Sequence, residues 1–147
     1  MTMEDIVIKT GTYSALWDDA MKIRDEVFCG EQGISRDIEI DRFDRAATHV
    51  VLYLNGLPVS TGRIICDDGV YYIGRVATIR KYRGNGYGKM IVEALADWAL
   101  CNKISEVHLH AQKHAVGFYE KIGFRPYGDI FFEAGIEHIS MVMKKEA

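Results

Sequence analysis

The chain has 147 residues, 48% of them apolar and 27% charged, and its 18 basic and 21 acidic side chains leave a net charge of −3. That length fits one domain, 1–147, with enough residues to bury a core without disulfide or metal staples. The missing basic excess argues against a nucleic-acid partner. The lack of any apolar run near the ~20 residues of a membrane span argues against a membrane.

Three scattered cysteines, Cys29, Cys66 and Cys101, form no CxxC pair, so neither a disulfide framework nor a metal site is expected. The opening MTMEDIVIKTG has no basic start followed by an apolar run, which makes the cytoplasm the expected location.

The first strand is expected at 4–9 and a helix at 14–28, with Ser14 as N-cap and Ala20, Ile23, Val27 and Phe28 as its apolar stripe. Residues 30–47 read as an acidic loop with a short helix. Seven acidic residues fall between 25 and 44, enough to attract a cationic amine or simply to be solvated. Strands follow at 49–54, 58–66 and 70–78, joined through Asn55-Gly56 and Asp67-Asp68-Gly69 as an antiparallel meander. Residues 87–101 carry helical spacing in Met90, Ile91, Ala94, Leu95, Trp98 and Ala99. A strand at 106–111, a helix at 114–122 ended by Gly123, and strands at 125–132 and 138–144 close the chain. This order implies a mixed α/β sheet, mostly antiparallel, with helices on both faces.

The most informative segment is Arg83-Gly84-Asn85-Gly86-Tyr87-Gly88-Lys89, between a strand and a long amphipathic helix. Alternate glycines let the backbone turn sharply, and the helix start then offers free N–H groups and a positive dipole end to an anion. Arg75, Arg80, Lys81, Arg83 and Lys89 surround it with no acidic residue between 75 and 89. A P-loop is excluded because Met90 follows Gly88-Lys89 and Arg83 stands at the early glycine position. The dinucleotide pattern fails at Lys89.

Arg83-x-x-Gly86-x-Gly88 resembles the pyrophosphate loop of GNAT acetyltransferases, and Ala115-x-x-Phe118-Tyr119-x-x-x-Gly123-Phe124 resembles their second signature. Arg24-x-x-Val27-Phe28, Glu31-Gln32-Gly33, Asp41-x-x-Asp44 and the segment 133–138 are similar to the ElaA-like branch. The sequence departs from the family at Gln112, where asparagine is common, and at Arg80, where proline is common.

The resemblance implies acetyl-CoA as co-substrate and an amine, small-molecule or peptide, as acceptor. It implies a sheet split between 70–78 and 106–111, with pantetheine against the backbone of Val76, Ala77 and Thr78. The pyrophosphate falls on Arg83, Gly84, Asn85, Gly86, Tyr87, Gly88 and Lys89. Tyr119 is implied as the acid that protonates the leaving thiolate. Glu133 and His138 are candidates for the acceptor side or the general base. His108 and His110 share one strand face, read as a half-buried polar face. The family also allows a homodimer. Acyl-homoserine lactone synthesis on a related fold, and a non-catalytic acyl-CoA sensor, stand as alternatives.

Overall fold

A seven-stranded sheet organises residues 4–145, which are those that the computed structural model of the chain describes; the ends of the expected 1–147 domain, 1–3 and 146–147, lie outside them. The strands are β1 (Ile6–Gly11), β2 (Thr48–Leu54), β3 (Leu57–Asp67), β4 (Val70–Thr78), β5 (Glu106–Gln112), β6 (Arg125–Glu133) and β7 (Ile136–Lys144). They lie in the order β1-β2-β3-β4-β5-β7-β6, antiparallel everywhere except between β4 and β5. The parallel pair needs a crossover, and helix α3 (Tyr87–Cys101) supplies it.

Helix α1 spans Tyr13–Arg24, and Thr12 rather than Ser14 takes the N-cap position, without a side-chain cap bond. The expected 14–28 helix does not stay regular. From Asp25 to Glu31 it widens into a π-helical turn, and helix α2 (Arg36–Glu39) is a single further turn. Helix α4 (Val116–Ile122) follows a 3-10 turn at Lys113–Ala115 and stops at Gly123, whose φ is +120°.

The hairpin β6–β7 is longer than expected, because Ala134 (φ +51°) and Gly135 (φ +75°) make a two-residue turn. Alanine rarely adopts this left-handed conformation, so the usual Asn-Gly or Asp-Gly signal is missing there.

Two cores flank the sheet. On one face Ile91, Val92, Leu95 and Ala99 of α3 pack on Val50, Leu52, Ile73, Val107, Leu109 and Met141. On the other, Leu16, Ala20 and Ile23 of α1 pack on Val51, Tyr53 and Ala77. Gly62 shows how closely α3 approaches β3: a Cβ there would stand 2.7 Å from Ile91 Cγ2 and 3.0 Å from Leu95 Cδ1. Gly62→Ala is therefore expected to cost about 1–3 kcal/mol by overpacking. At this chain size a thermal melt should register roughly 2–4 °C per kcal/mol, and an unshifted melt would mean that α3 has room to move.

Candidate functional site

The strands β4 and β5 pair only at Tyr72↔His108 and Ile73↔Leu109. Beyond Ile73 they diverge, although each strand continues for several residues. A bulge accompanies the divergence: the β3–β4 register slips at Gly62, and Arg75 sits at φ +52°. Bulges bend a strand and re-aim its backbone. The sheet is thus split between 70–78 and 106–111. The side chain of Ala77 is buried against α1 and that of Val76 packs in the α3 core, so these residues offer the split their backbone. The Thr78 hydroxyl pairs with Ser60 Oγ at 2.8 Å.

The split leads to the glycine turn. Gly84 and Gly86 have φ of +84° and +81°, with no neighbouring atom within 4 Å of a Cβ built on either. Gly86 occupies the N-cap position of α3, no side chain caps that end, and the first turn carries no acidic residue. Free N–H groups at such an end are unsatisfied until an anion or water meets them. Asn85 turns its amide back onto the Tyr82 carbonyl at 3.0 Å, and the Tyr87 ring is buried beneath the turn.

The basic neighbourhood is smaller than the five residues in the sequence. Arg83 donates from Nε to Thr78 O and makes a two-pronged ion pair with Glu31, at 2.7 and 2.6 Å. Arg75 is committed to Ile38 O, Glu39 and Asp41. Arg80, Lys81 and Lys89 remain exposed, with no ion pair among the described residues. The Arg83 side chain thus fastens the turn to α1's extension and to the end of β4.

Tyr119 projects from α4 into the α3-side core, edge-on to Phe124 with centroids 6.0 Å apart. Burial alone pushes its hydroxyl above the ordinary tyrosine range, with no charged or hydrogen-bonding group contributing. Phe118, its neighbour, lies outside the core. It is 38% exposed, and its ring faces Gly88.

The opposite face of β4, β5, β7 and β6 carries Tyr72, His108, His110, Tyr127, Phe131, Glu133 and His138. Glu133 Oε1 meets His110 Nδ1 at 2.6 Å. That contact, ahead of the opposing effect of burial, holds the Glu133 carboxyl below its ordinary range. His138 is 7% exposed and gives Nδ1 to Ile136 O. Both nitrogens of His108 are engaged, by Tyr127 Oη and Glu106. Among the described residues no three of these side chains form a metal-ligating group, and no helix is long and apolar enough to cross a membrane.

The family model for the "Acetyltransferase (GNAT) domain" matches residues 18–145. The chain belongs to the GNAT acetyltransferase family. It is similar to an uncharacterized N-acetyltransferase of Bacillus subtilis (strain 168), YjcF, at 36% identity over 125 residues, 84% of this chain and 89% of that one. Among solved structures it is similar to an acyl-CoA N-acyltransferase from Pseudomonas aeruginosa, with TM-score 0.85 and 25% identity over 95% of this chain and 99% of that one. Escherichia coli ElaA gives TM-score 0.84 and 25% identity over 95% and 100%. The protein is an acyltransferase by family, with ElaA among its structural relatives.

In this GNAT domain three of the seven acidic residues of 25–44, Glu39, Asp41 and Asp44, form an internal ion network, while Glu26, Glu31 and Asp37 are exposed. Arg24, 1% exposed, donates to Glu39 and, at 2.7 and 3.2 Å, to both oxygens of Asp44. Arg63 reaches Asp41 and Asp44 at 2.7 Å. Burial works to raise the Asp44 carboxyl, but the hydrogen bond and charge of Arg24 outweigh it and hold the group below the ordinary range. The network ties α1, α2, β3 and the β4 bulge together, and gives Arg24 and Asp41-x-x-Asp44 their physical role. Glu31 and Gln32 make separate long-range contacts. Glu31 holds Arg83, and Gln32 exchanges amide hydrogen bonds with Gln112 at the end of β5, at 3.3 and 3.0 Å. Sequence spacing could not pair residues 80 positions apart.

Proposed function

We propose that the protein moves an acetyl group from acetyl-CoA to the amine of a small-molecule or peptide acceptor, by direct attack in a ternary complex. The observation that carries this reading is the split between β4 and β5 running to an uncapped helix start with two left-handed glycines. The backbone of Gly84, Asn85, Gly86, Tyr87, Gly88 and Lys89 would hold the pyrophosphate, and Arg83 would brace the turn. Val76, Ala77 and Thr78 would lie along pantetheine, with the backbone amides near Val76 and Thr78 that β5 leaves unpaired facing it, and one such amide would polarise the thioester carbonyl. Tyr119 would return a proton to the departing sulfur. A metal has no part in this chemistry. A cytoplasmic location agrees with a nucleotide thioester co-substrate.

The expected result is amine-dependent release of free thiol from acetyl-CoA, above hydrolysis, with at least one member of a panel of primary amines (an alkyl diamine, a lysine ester, an alanyl peptide). An acyl-CoA sensor would bind acetyl-CoA by calorimetry and release no thiol with any of them, and that outcome would end the transfer reading.

A further inference from the structure

Three histidines line the face of β5 and β7 opposite α3, and their nitrogens are used differently. His108 has both engaged. His138 is buried and bound to a carbonyl. His110 alone pairs one nitrogen, Nδ1, with a carboxylate and leaves Nε2 without a partner among the described residues. Its side chain is 37% exposed.

His110 is also the first residue of β5 beyond the last β4–β5 pair, so it stands where the split opens. Its ring lies edge-on to Tyr72 of β4 at 5.3 Å and to Phe131 of β6 at 5.0 Å. Its strand neighbours Leu109 and Ala111 point into the α3-side core, where Tyr119 also packs. A thioester lying in the split would therefore meet Tyr119 from one face of the sheet and His110 from the other.

We propose that His110 takes the proton from the acceptor's ammonium group, and that Glu133 positions its imidazole by accepting from Nδ1–H. This rests on the acetyl-transfer reading above. An ionised carboxylate on Nδ1 selects the tautomer whose free lone pair is on Nε2. Proton transfer proceeds from the ammonium to Nε2, and the electron pair left on the amine forms the C–N bond. The C–S bond breaks with its pair on sulfur, which takes the Tyr119 proton. The new amide nitrogen sheds its second proton, Tyr119 is restored through solvent, and His110 returns its proton to water. The balance is an ammonium and a thioester in, an amide, a thiol and one proton out. Glu133 is thereby a positioning residue, and His138, one of the two residues read from sequence for this side, supports Glu133 from 3.9 Å.

The groups facing His110 are Tyr72 of β4, His108 of its own strand, Glu133 of β6 and His138 of β7, with the charge of Arg75 acting on Glu133. The test compares wild type, His110→Gln, Glu133→Gln and His108→Gln with the best amine of the panel. His110→Gln should lose ~10²-fold in kcat/KM near neutral pH, with acetyl-CoA affinity unchanged. The deficit should close as pH rises past the amine's own ionisation, where no base is needed. Glu133→Gln should lower kcat while KM for acetyl-CoA stays near wild type, since an amide no longer fixes the tautomer and orientation of the His110 ring. His108→Gln should match wild type.

Wild-type rates in His110→Gln, or a deficit constant with pH, overturn the assignment. Should His110→Gln melt early, a wild-type kcat in Glu133→Gln overturns it instead. A wild-type protein with no amine-dependent thiol release removes the transfer reading and this assignment together. An active wild type with an unimpaired His110→Gln removes this assignment alone.

Discussion

Gly86→Asp is expected to weaken acetyl-CoA binding by ~10² or more, which calorimetry against wild type will read. Two effects act, and they differ in size. The backbone at Gly86 is left-handed, with φ of +81°. A side chain there costs about 1–2 kcal/mol, less for aspartate and asparagine than for most residues. That strain should appear in a thermal melt as a modest shift. The second effect is charge. The space around Gly86 is open, so nothing in the protein pushes a carboxylate away from the helix start. A carboxylate ~4 Å from one phosphate charge, at an effective dielectric near 20, opposes binding by ~4 kcal/mol. It also satisfies the N–H groups that the anion would use. Gly86→Asn separates the two terms: it carries the same strain without the charge, so its affinity should fall far less than that of Gly86→Asp. An unchanged affinity in Gly86→Asp would remove the turn from cofactor binding.

Most of what depends on neighbours in the chain was legible in the sequence. Asn55-Gly56 and Asp68-Gly69 signal their hairpins because only a few residue types accept two positive φ values in succession. The α3 stripe and the glycine turn before it are local for the same reason. What failed to show depends on distance or on exception. Ala134 turns a hairpin in a conformation that alanine seldom adopts, so β6 and β7 are longer than their composition suggests.

Asp41 and Asp44 look solvated in the sequence because their partners, Arg63 and Arg75, stand on strands far along the chain. Counting five basic residues near the turn overstated its charge, since Glu31 and Asp41 claim two of them. His110 was seen, but only as one of a strand-face pair. Its difference from His108 is a matter of hydrogen-bond partners on β6, which spacing does not reveal.

Tyr119→Phe is expected to lower kcat by ~10²-fold while leaving acetyl-CoA affinity near wild type. The substitution keeps the ring that packs on Phe124 and Phe118, so the core loses little. Burial raises the tyrosine hydroxyl, and no partner inside the protein satisfies it. Tyr119 is partly buried, and deleting a hydroxyl with no partner among the described residues leaves no group newly unsatisfied. The melting temperature should therefore hold or rise slightly, which separates this residue from one kept for packing.

The raised pKa also fixes the sign of the pH dependence. A tyrosine whose folded pKa lies above the ordinary ~10 stays protonated, and so able to donate, throughout the neutral and mildly basic range. Loss of Tyr119 should then depress kcat evenly across that range, and the wild-type profile should show no basic limb from this group below pH ~10. Donation from so weak an acid works because the same apolar surroundings destabilise the leaving thiolate, raising the pKa of both partners together. If the hydroxyl only held the thiol in the ground state, KM would rise and kcat would fall little. Steady-state kinetics, a pH profile and a melt on the one variant distinguish these cases. Wild-type turnover, under conditions where chemistry limits the rate, would remove Tyr119 from the mechanism.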